Sequence, residues 1–494
     1  MLFNDPVYIF IFLPLVFIGY FGLGARAPFL AKVWLILSSL FFYAYWDWRF
    51  LPLILFSLCI NYVLGKMLIK TDSPKRWLTF GIIFNIGLLG WFKYANFAVD
   101  TLNMLTHADL QLFTITLPLA ISFFTFQQIA FLVDCTKNKE KAEINRHLSI
   151  VDYALFVCFF PQLIAGPIVH HKEMMPQFLA VENLSPQAKN ILSGLALFTL
   201  GLFKKVVLAD TFAGLATPAF DTATTLTFAE AWLASLSYTC QLYFDFSGYT
   251  DMALGVALLF NIRLPQNFNA PYRALSIQDF WQRWHITLGR FLKDYVYIPL
   301  GGNKKSYPRT CVNLFTTFVI GGLWHGAAWT FVAWGALHGC ALVIHRSWKM
   351  LGLRLYTPIA WFITFMFINA SWVLFRAQSF PDALKIYQGM LGLNGFTLQQ
   401  QFLDMFPALT YIFTPTGTLR FLADGSVMGA VEAGMLLLTA VILLFFCPKS
   451  GTLIKSPKPW VKIALNLALA VALPFSLQAI LFNQTPSEFL YFRF

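Results

Sequence analysis

One histidine stands out because of the residues around it. The stretch GGLWHGAAWTF (321–331) places His325 among tryptophans, and residues 310–345 contain no Asp, Glu, Lys or Arg. Imidazole has an unperturbed pKa of about 6.5, so it can take and return a proton near neutral pH. Ionisable side chains inside apolar segments usually face substrate or proton pathways. His325 is therefore a candidate general base; the alternative is a neutral histidine that only bonds a neighbouring helix.

A second histidine, His285, lies in SIQDFWQRWHITLGRFLKDYVYIPLGG (276–302). This stretch opens with a capping pattern at Ser276 and Asp279 and ends near Pro299, which predicts one helix of about 19 residues after the cap. Its apolar and charged residues fall on opposite faces, as in a helix that lies in the membrane interface or packs against a bundle. His285 falls just past the edge of the apolar face, where a bond to a backbone carbonyl is the simpler alternative.

The uncharged segment 310–345 is too long for one straight span. As a helix it would extend about 54 Å, against a hydrocarbon core of about 30 Å. We expect a break at Gly321–Gly322 and a longer helix from about Leu323, which together form a re-entrant or hairpin element. Irregular backbone at this depth must be buried or line a wet cavity, so His325 should border one. His338 would face another way, and we predict a packing role for it.

The rest of the chain must hold these residues within a membrane. Of 494 residues, 58% are hydrophobic and 12% charged, which indicates an integral membrane protein. The predicted fold class is all-α, a polytopic transmembrane helical bundle of about 11–13 spans with interfacial amphipathic helices and a re-entrant or broken central element. We expect one domain over residues 1–494. The clearest apolar runs are 7–24, 29–46, 50–69, 77–95, 111–133, 355–375, 427–447 and 461–482.

The formal net charge of +12 is better explained by membrane orientation than by nucleic acid binding. With the N-terminus outside, an alternating path puts the basic loops in the cytoplasm and the acidic loop with Asp100 and Asp109 outside. Residues 263–309 carry eight basic and two acidic side chains, so we predict a cytoplasmic or interfacial segment there. The basic loops contain Arg26/Lys32, Lys70/Lys75/Arg76, Lys137/Lys139/Lys141/Arg146, Lys204/Lys205 and Lys449/Lys455/Lys458.

Other patterns of functional residues are weaker. The seven cysteines are scattered singly without metal-ligand spacing, so no metal site is predicted. Asp245 and Asp251 flank FSGYT, where we predict a turn and a structural role such as helix capping. His147 and Asp152 show a spacing known from soluble-facing acyltransferases, which we interpret as chance.

Several long motifs resemble one family. LYFDFSGYTDMALG (242–255), FNAPYRALSIQDFWQRWHITLGRFLKDYVYIPLGGNK (268–304) and GGLWHGAAWTFVAWGALHG (321–339) are similar to the core of the membrane-bound O-acyltransferases, in the bacterial branch that acts in alginate O-acetylation. The resemblance implies that His325 of LWHG is catalytic and that His285 of RWH is a second invariant histidine. It also implies a multi-helix bundle with a thinned centre, where a cytoplasmic acyl donor meets an acceptor from the other side. FFPQLIAGPI (159–168), GLFKKVVLAD (201–210) and EFLYFRF (488–494) resemble the same branch.

The expected activity is acetyl transfer from a cytoplasmic thioester to a hydroxyl group on the other side of the membrane. His325 would be the general base and His285 would polarise the carbonyl or position the donor, with an acetyl-histidine intermediate less favoured. No bound cofactor is expected, and acetyl-CoA is the expected donor, whose phosphates the basic face could attract unless those charges serve only as orientation signals. The candidate substrate-binding residues are Trp281, Arg283, Trp284, Lys293 and Trp324.

The expected acceptor is an exopolysaccharide such as alginate, with cellulose or peptidoglycan as alternatives. The largest outer segment, roughly 377–426, is too short for a second enzyme domain, so we expect an exported or periplasmic esterase-like partner. A transporter with a histidine proton relay is the rival from another class, but the chain shows no internal repeat. The resemblance implies a multi-pass protein of the bacterial inner membrane, in contact with membrane lipids and without a nucleic acid partner.

Overall fold

The computed structural model describes residues 1–71, 73–137, 144, 148–416, 430–445, 449–482 and 487–490. Several features discussed above lie outside these residues: His147, the basic residues Lys139, Lys141 and Arg146, Cys447, the end of the outer segment 377–426 and the end of the EFLYFRF motif. Most of the described part is helical. Its two short strands, Thr397–Gln399 (β1) and Thr414–Thr416 (β2), pair in parallel with Thr397 opposite Thr414.

The α-helices are numbered here along the described chain. They are α1 Leu13–Gly24, α2 Pro28–Ala44, α3 Leu51–Lys70, α4 Pro74–Leu89, α5 Ala95–Thr106, α6 Ile121–Asp134, α7 Ile150–Cys158, α8 Phe160–Leu163, α9 His171–Leu179, α10 Ala188–Phe203, α11 Asp210–Asp221, α12 Phe228–Leu259, α13 Ile277–Trp281, α14 Ile286–Leu292, α15 Tyr307–His325, α16 Trp329–Met350, α17 Thr357–Arg376, α18 Phe380–Met390, α19 Gln400–Met405, α20 Ala430–Phe445, α21 Ser450–Lys455 and α22 Pro459–Phe482. Proline at a first helical position, as in α2 and α4, starts a helix without losing a hydrogen bond.

The helices confirm an all-α polytopic membrane protein. Five helical stretches in the described chain are long and apolar enough to cross a bilayer, and shorter apolar helices accompany them. The figure of about 11–13 spans stays a prediction. The five stretches are Trp48–Lys70, Pro74–Thr106, Ala188–Asp221, Thr357–Arg376 and Pro459–Phe482, and the shorter helices are Tyr8–Gly24, Pro28–Ala44, Ile121–Asp134 and Ala433–Phe445.

The apolar run 111–133 is not one span as predicted. Its helix begins only at Ile121, and the preceding residues follow an irregular path that bonds to α5. Asn96 and Asn103 of α5 each accept a bond from, and donate a bond to, the backbone of this path, at Phe113 and Leu110 respectively. Because these amides satisfy backbone groups that a helix would have paired internally, apolar composition alone did not determine the local structure.

The described chain clusters into two compact units. The first unit contains residues 1–202, 249–267 and 454–494, and the second contains residues 203–248 and 268–453. Each unit draws on segments that are distant in sequence, so neither corresponds to a continuous domain. The prediction of one domain over the whole chain stays a prediction.

A helical hairpin in the second unit holds the motif that contains His325. Helix α15 runs through Gly321 and Gly322 and ends at His325, and α16 begins at Trp329. The hairpin is therefore confirmed, but the predicted break at Gly321–Gly322 is wrong. These glycines serve contact between the helices: a Cβ on Gly322 would collide with the carbonyl oxygen of Phe331 and would lie 2.9 Å from Gly335 Cα. Small residues at such crossings let the two backbones approach.

Candidate active site

His325 occupies the end of α15 rather than the start of the following helix. His325 is the last helical residue before the turn 326–328, and its side chain is buried, with 3% exposed. This placement puts the imidazole at the closed end of the hairpin, beside the first turns of α16. The helix break was predicted before His325, at the glycine pair, but it lies just after His325. The glycines continue the helix and pack against α16.

His285 interrupts the helix that the sequence predicts after Ser276. The cap itself is confirmed, since Ser276 Oγ accepts a bond from the Asp279 backbone N–H at 3.1 Å. Helix α13 then ends at Trp281, and His285 adopts the left-handed conformation with φ 44° before α14 begins. The backbone N–H of Asn269 donates to the Arg283 carbonyl at 2.8 Å, so this carbonyl is engaged outside the helix. A tertiary bond thus accompanies the break.

The break brings the two histidines together. The ring centroids of His285 and His325 are 6.3 Å apart, and the Trp324 ring lies 4.9 Å from His325 and 6.1 Å from His285. His285 is completely buried, and Phe246 of α12 packs edge-on against it at 4.8 Å. The structure therefore brings Phe246, His285 and His325, each from a different motif, together in one buried site within the second unit.

Two further aromatic rings border His325. Trp334 of α16 lies 5.2 Å from the His325 ring at an interplanar angle of 89°, and Phe375 of α17 lies 5.2 Å away at 72°. Neither residue was predicted as part of the site, nor was Phe246. Trp334 and Phe246 lie inside the motifs GGLWHGAAWTFVAWGALHG and LYFDFSGYTDMALG, whereas Phe375 comes from a separate helix and carries no local signal. Apolar rings around an imidazole keep water away and strengthen electrostatic interactions there.

His338 takes the packing role that the sequence predicts. It is fully buried, its Nδ1 accepts a bond from Trp281 Nε1–H at 3.2 Å, and its Nε2 lies 3.0 Å from Ser371 Oγ. An indole N–H can only donate, so the proton of the neutral ring is assigned to Nε2. Ser371 Oγ in turn donates to the Ile368 carbonyl at 2.8 Å. This chain of bonds links α13, α16 and α17.

The candidate substrate-binding residues divide into two groups. Trp324 contacts both histidines, while Trp281 and Trp284 lie in the surrounding aromatic layer, where Trp284 is 1% exposed and packs on Trp372 at 5.0 Å. The two basic candidates lie elsewhere. Arg283 is half-buried and forms an ion pair with Asp279 at 2.6 Å, and Lys293 is exposed.

FSGYT is not a turn, contrary to the prediction. It lies inside the 32-residue helix α12, and Asp245 Oδ1 forms a buried ion pair with Lys205 Nζ at 2.9 Å. Lys205 also contacts Asp210 Oδ1 at 2.9 Å and is 2% exposed, so it is not the surface charge of a cytoplasmic loop. The turn-forming residues Ser247 and Gly248 are overridden because this stretch of α12 is buried on all sides.

Comparison with known proteins shows the family of the chain. The family model of the membrane-bound O-acyltransferases matches residues 42–376, which include both histidines. The chain belongs to the membrane-bound O-acyltransferase family. The protein is therefore a multi-pass membrane O-acyltransferase. The alternative prediction, a transporter with a histidine proton relay, is set aside.

Individual relatives of this O-acyltransferase carry different names. A peptidoglycan O-acetyltransferase of Helicobacter pylori is 44% identical and aligns over 100% of this chain and 98% of its own length. A probable alginate O-acetylase of Pseudomonas aeruginosa is 40% identical over 81% of this chain and 76% of its own. A teichoic acid D-alanyltransferase of Streptococcus thermophilus is 27% identical over 52% of this chain and 68% of its own. These names differ in both the acyl group and the acceptor.

Proposed function

We propose that this O-acyltransferase moves acetyl groups from a cytoplasmic thioester to hydroxyl groups of a polysaccharide outside the inner membrane. The observation that carries the proposal is the buried pair of His325 and His285, 6.3 Å apart within an aromatic site. The pair offers a base for the hydroxyl proton and a second polar group close to it.

In the proposed reaction, the acceptor hydroxyl oxygen attacks the thioester carbonyl carbon while His325 takes the hydroxyl proton. The electron pair of the carbonyl bond moves onto the carbonyl oxygen. When this bond re-forms, the carbon–sulfur bond breaks and the leaving thiolate takes the proton from the His325 imidazolium. The products are an ester and a free thiol, and His325 returns to its neutral form.

His285 acts on the carbonyl side of this reaction or positions the donor. It approaches the site from the segment between α13 and α14, held in a left-handed conformation that is uncommon for a residue with a side chain. Such backbone strain is found where surrounding structure imposes a functional geometry. The Phe246 ring and the Trp324 ring fix its orientation.

Acetyl-CoA is the proposed donor. The segment that follows α14 contains three exposed lysines, Lys293, Lys304 and Lys305. These charges would face the cytoplasm under the predicted orientation and would attract the phosphates of CoA, as a field of one sign attracts an oppositely charged ligand. The thioester end would then reach the histidine pair.

A cell-envelope glycan is the proposed acceptor, with peptidoglycan before alginate. The Helicobacter pylori relative that is named for peptidoglycan aligns over the whole chain, whereas the relative named for alginate aligns over 81% of it. We propose that an exported esterase-like partner completes the transfer, since the predicted outer segment 377–416 contains only short elements: α18, α19, β1, β2 and a 3-10 helix at Pro407–Tyr411.

The experiment uses the full chain in lipid nanodiscs with isotope-labelled acetyl-CoA. Soluble peptidoglycan fragments and mannuronate oligomers are offered separately, each with and without a candidate exported partner. We expect CoA release and a labelled ester on the peptidoglycan fragments, both abolished by His325→Ala. Ester on the mannuronate oligomers alone would replace peptidoglycan with alginate. No CoA release under any condition would overturn acetyl-CoA as the donor.

A further inference from the structure

The indole N–H of Trp334 is a buried donor that has no hydrogen-bond partner among the residues that the structure describes. The Trp334 side chain is 1% exposed, so bulk water does not cover the indole. Burying a donor without an acceptor is costly, and most buried polar groups in proteins are paired. An orphaned donor therefore needs an explanation, and a ligand that visits the site is one.

The neighbours of Trp334 do not supply the acceptor. Phe375 at 5.1 Å and Trp372 at 5.7 Å present aromatic rings. His338 lies 4.6 Å away, but its Nδ1 already receives the Trp281 N–H and its Nε2 carries the proton towards Ser371. The acceptor for Trp334 must therefore come from outside this cluster.

Trp281 lies 5.8 Å away, but its indole has no acceptor and its N–H donates to His338. The remaining ring neighbour is His325. Its ring lies 5.2 Å from the Trp334 ring and is almost perpendicular to it. A base that removes a proton from an attacking hydroxyl and a donor that serves the carbonyl oxygen must each lie about 3 Å from the atoms they act on. The two rings pack edge to face against each other, so an acyl group that contacts both would lie beside the pair and not between the rings.

We propose that Trp334 Nε1–H donates a hydrogen bond to the carbonyl oxygen of the acyl group during transfer at His325. This inference rests on the function proposed above. As the acceptor hydroxyl adds to the carbonyl carbon and passes its proton to His325, the carbonyl electron pair moves onto the oxygen that faces the indole. The N–H stabilises this negative charge until the carbon–sulfur bond breaks and the charge leaves with the thiolate.

His338 acts on Trp334 as a positioning residue. The bonds from Trp281 and to Ser371 hold its ring in one tautomer and one orientation against the Trp334 indole. A donor already held in place before the reaction stabilises developing charge without reorganising. Because Trp281 and Ser371 engage both ring nitrogens of His338, neither nitrogen can accept a hydrogen bond from the Trp334 N–H when substrate is absent.

The test replaces Trp334 with β-(3-benzothienyl)alanine, which keeps the ring shape and substitutes sulfur for the N–H group. Removing one such donor typically lowers kcat about 10²- to 10³-fold, and we expect a loss of that order with KM for acetyl-CoA within about threefold of wild type. The matched control is the same replacement at Trp361. Its N–H donates to the Tyr272 carbonyl at 3.0 Å, and we expect its kcat to stay within about threefold of wild type.

Trp334→Phe is the second variant if the unnatural residue destabilises the protein, and it should show the same loss of kcat at unchanged KM. Wild-type kcat in either folded variant, or a loss confined to KM, would overturn the role of the N–H. Ester formation by wild type together with its absence in His325→Ala would then leave the proposed function intact. If wild type forms no ester, both the function and this inference are overturned.

Discussion

His285 and His325 face each other across 6.3 Å with Trp324 in contact with both rings. The two residues come from separate elements, the break between α13 and α14 and the end of α15. In the proposed mechanism, one acyl transfer uses both imidazoles, with different roles. Different roles predict different kinetic effects when each is removed.

Replacing His325 with glutamine should lower kcat more than the same change at His285. Glutamine keeps a polar side chain of similar length but cannot take the hydroxyl proton, and a general base typically contributes about 10²- to 10⁴-fold. His285→Gln retains an amide donor and should lose less. CoA release measured against acetyl-CoA concentration separates kcat from KM. Equal turnover of His325→Gln and wild type would assign His325 to packing.

The hairpin should tolerate no side chain at Gly322. A Cβ there would collide with the backbone carbonyl oxygen of Phe331, which cannot rotate away as a side chain can. Gly322→Ala should therefore push the whole of α16 away from α15 and displace His325. We expect reduced kcat and a lower thermal unfolding midpoint. Gly214→Ala in α11 is the matched control, because its Cβ meets nothing within 4 Å. Alanine there should stabilise the helix by about 0.5–1 kcal/mol. Similar behaviour of the two variants would contradict this account.

The buried Lys205–Asp245 pair should respond differently to single and double replacements. Removing one partner leaves a buried charge with incomplete compensation and typically costs about 3–5 kcal/mol. Asp245→Leu and Lys205→Met should therefore each lower the unfolding midpoint, and the double variant Lys205→Met/Asp245→Leu should lose less than the sum of the two single losses. Asp47→Asn, at the exposed pair with Arg49, serves as the control and should change the midpoint little. Strict additivity of the single changes would argue against a direct interaction.

Burial of His171 makes stability depend on pH. His171 is the first residue of α9, which lies outside the candidate spans. Desolvation lowers the pKa of its imidazole from 6.5 to about 4, although the charge of Asp134 opposes this shift. Below about pH 6.5, His171 binds a proton in the unfolded chain but stays neutral in the folded chain. The free energy of unfolding therefore decreases as the pH drops from about 6.5 to about 4. The full loss is about 3 kcal/mol.

Thermal unfolding of the nanodisc-embedded protein at a series of pH values measures this effect. His171→Asn should flatten the dependence between pH 6.5 and 4. His107→Asn, at an exposed residue, should leave it unchanged. An identical dependence in wild type and His171→Asn would show that another group is responsible.

Much of the site could be predicted from the sequence because its polar residues are scarce. A histidine in an uncharged segment is conspicuous, and the motifs around His325 and His285 are long enough to identify a family. A re-entrant or hairpin element is predicted from the length of residues 310–345, which exceeds one span, together with the glycine pair. Its turn was misplaced, because a glycine pair can break a helix or bring two helices together, and the partner helix decides which.

The sequence by itself determined the membrane setting, the helical fold and the two histidines, since hydrophobicity and helix signals are local properties. Only the tertiary structure decided how these parts meet. The helix break at His285 accompanies a bond between Asn269 and Arg283, and the ring of Phe375 reaches His325 from another helix. The partner of Asp245 is a lysine of a different segment. These contacts depend on which segments are adjacent in space, and that is a property of the whole packed chain.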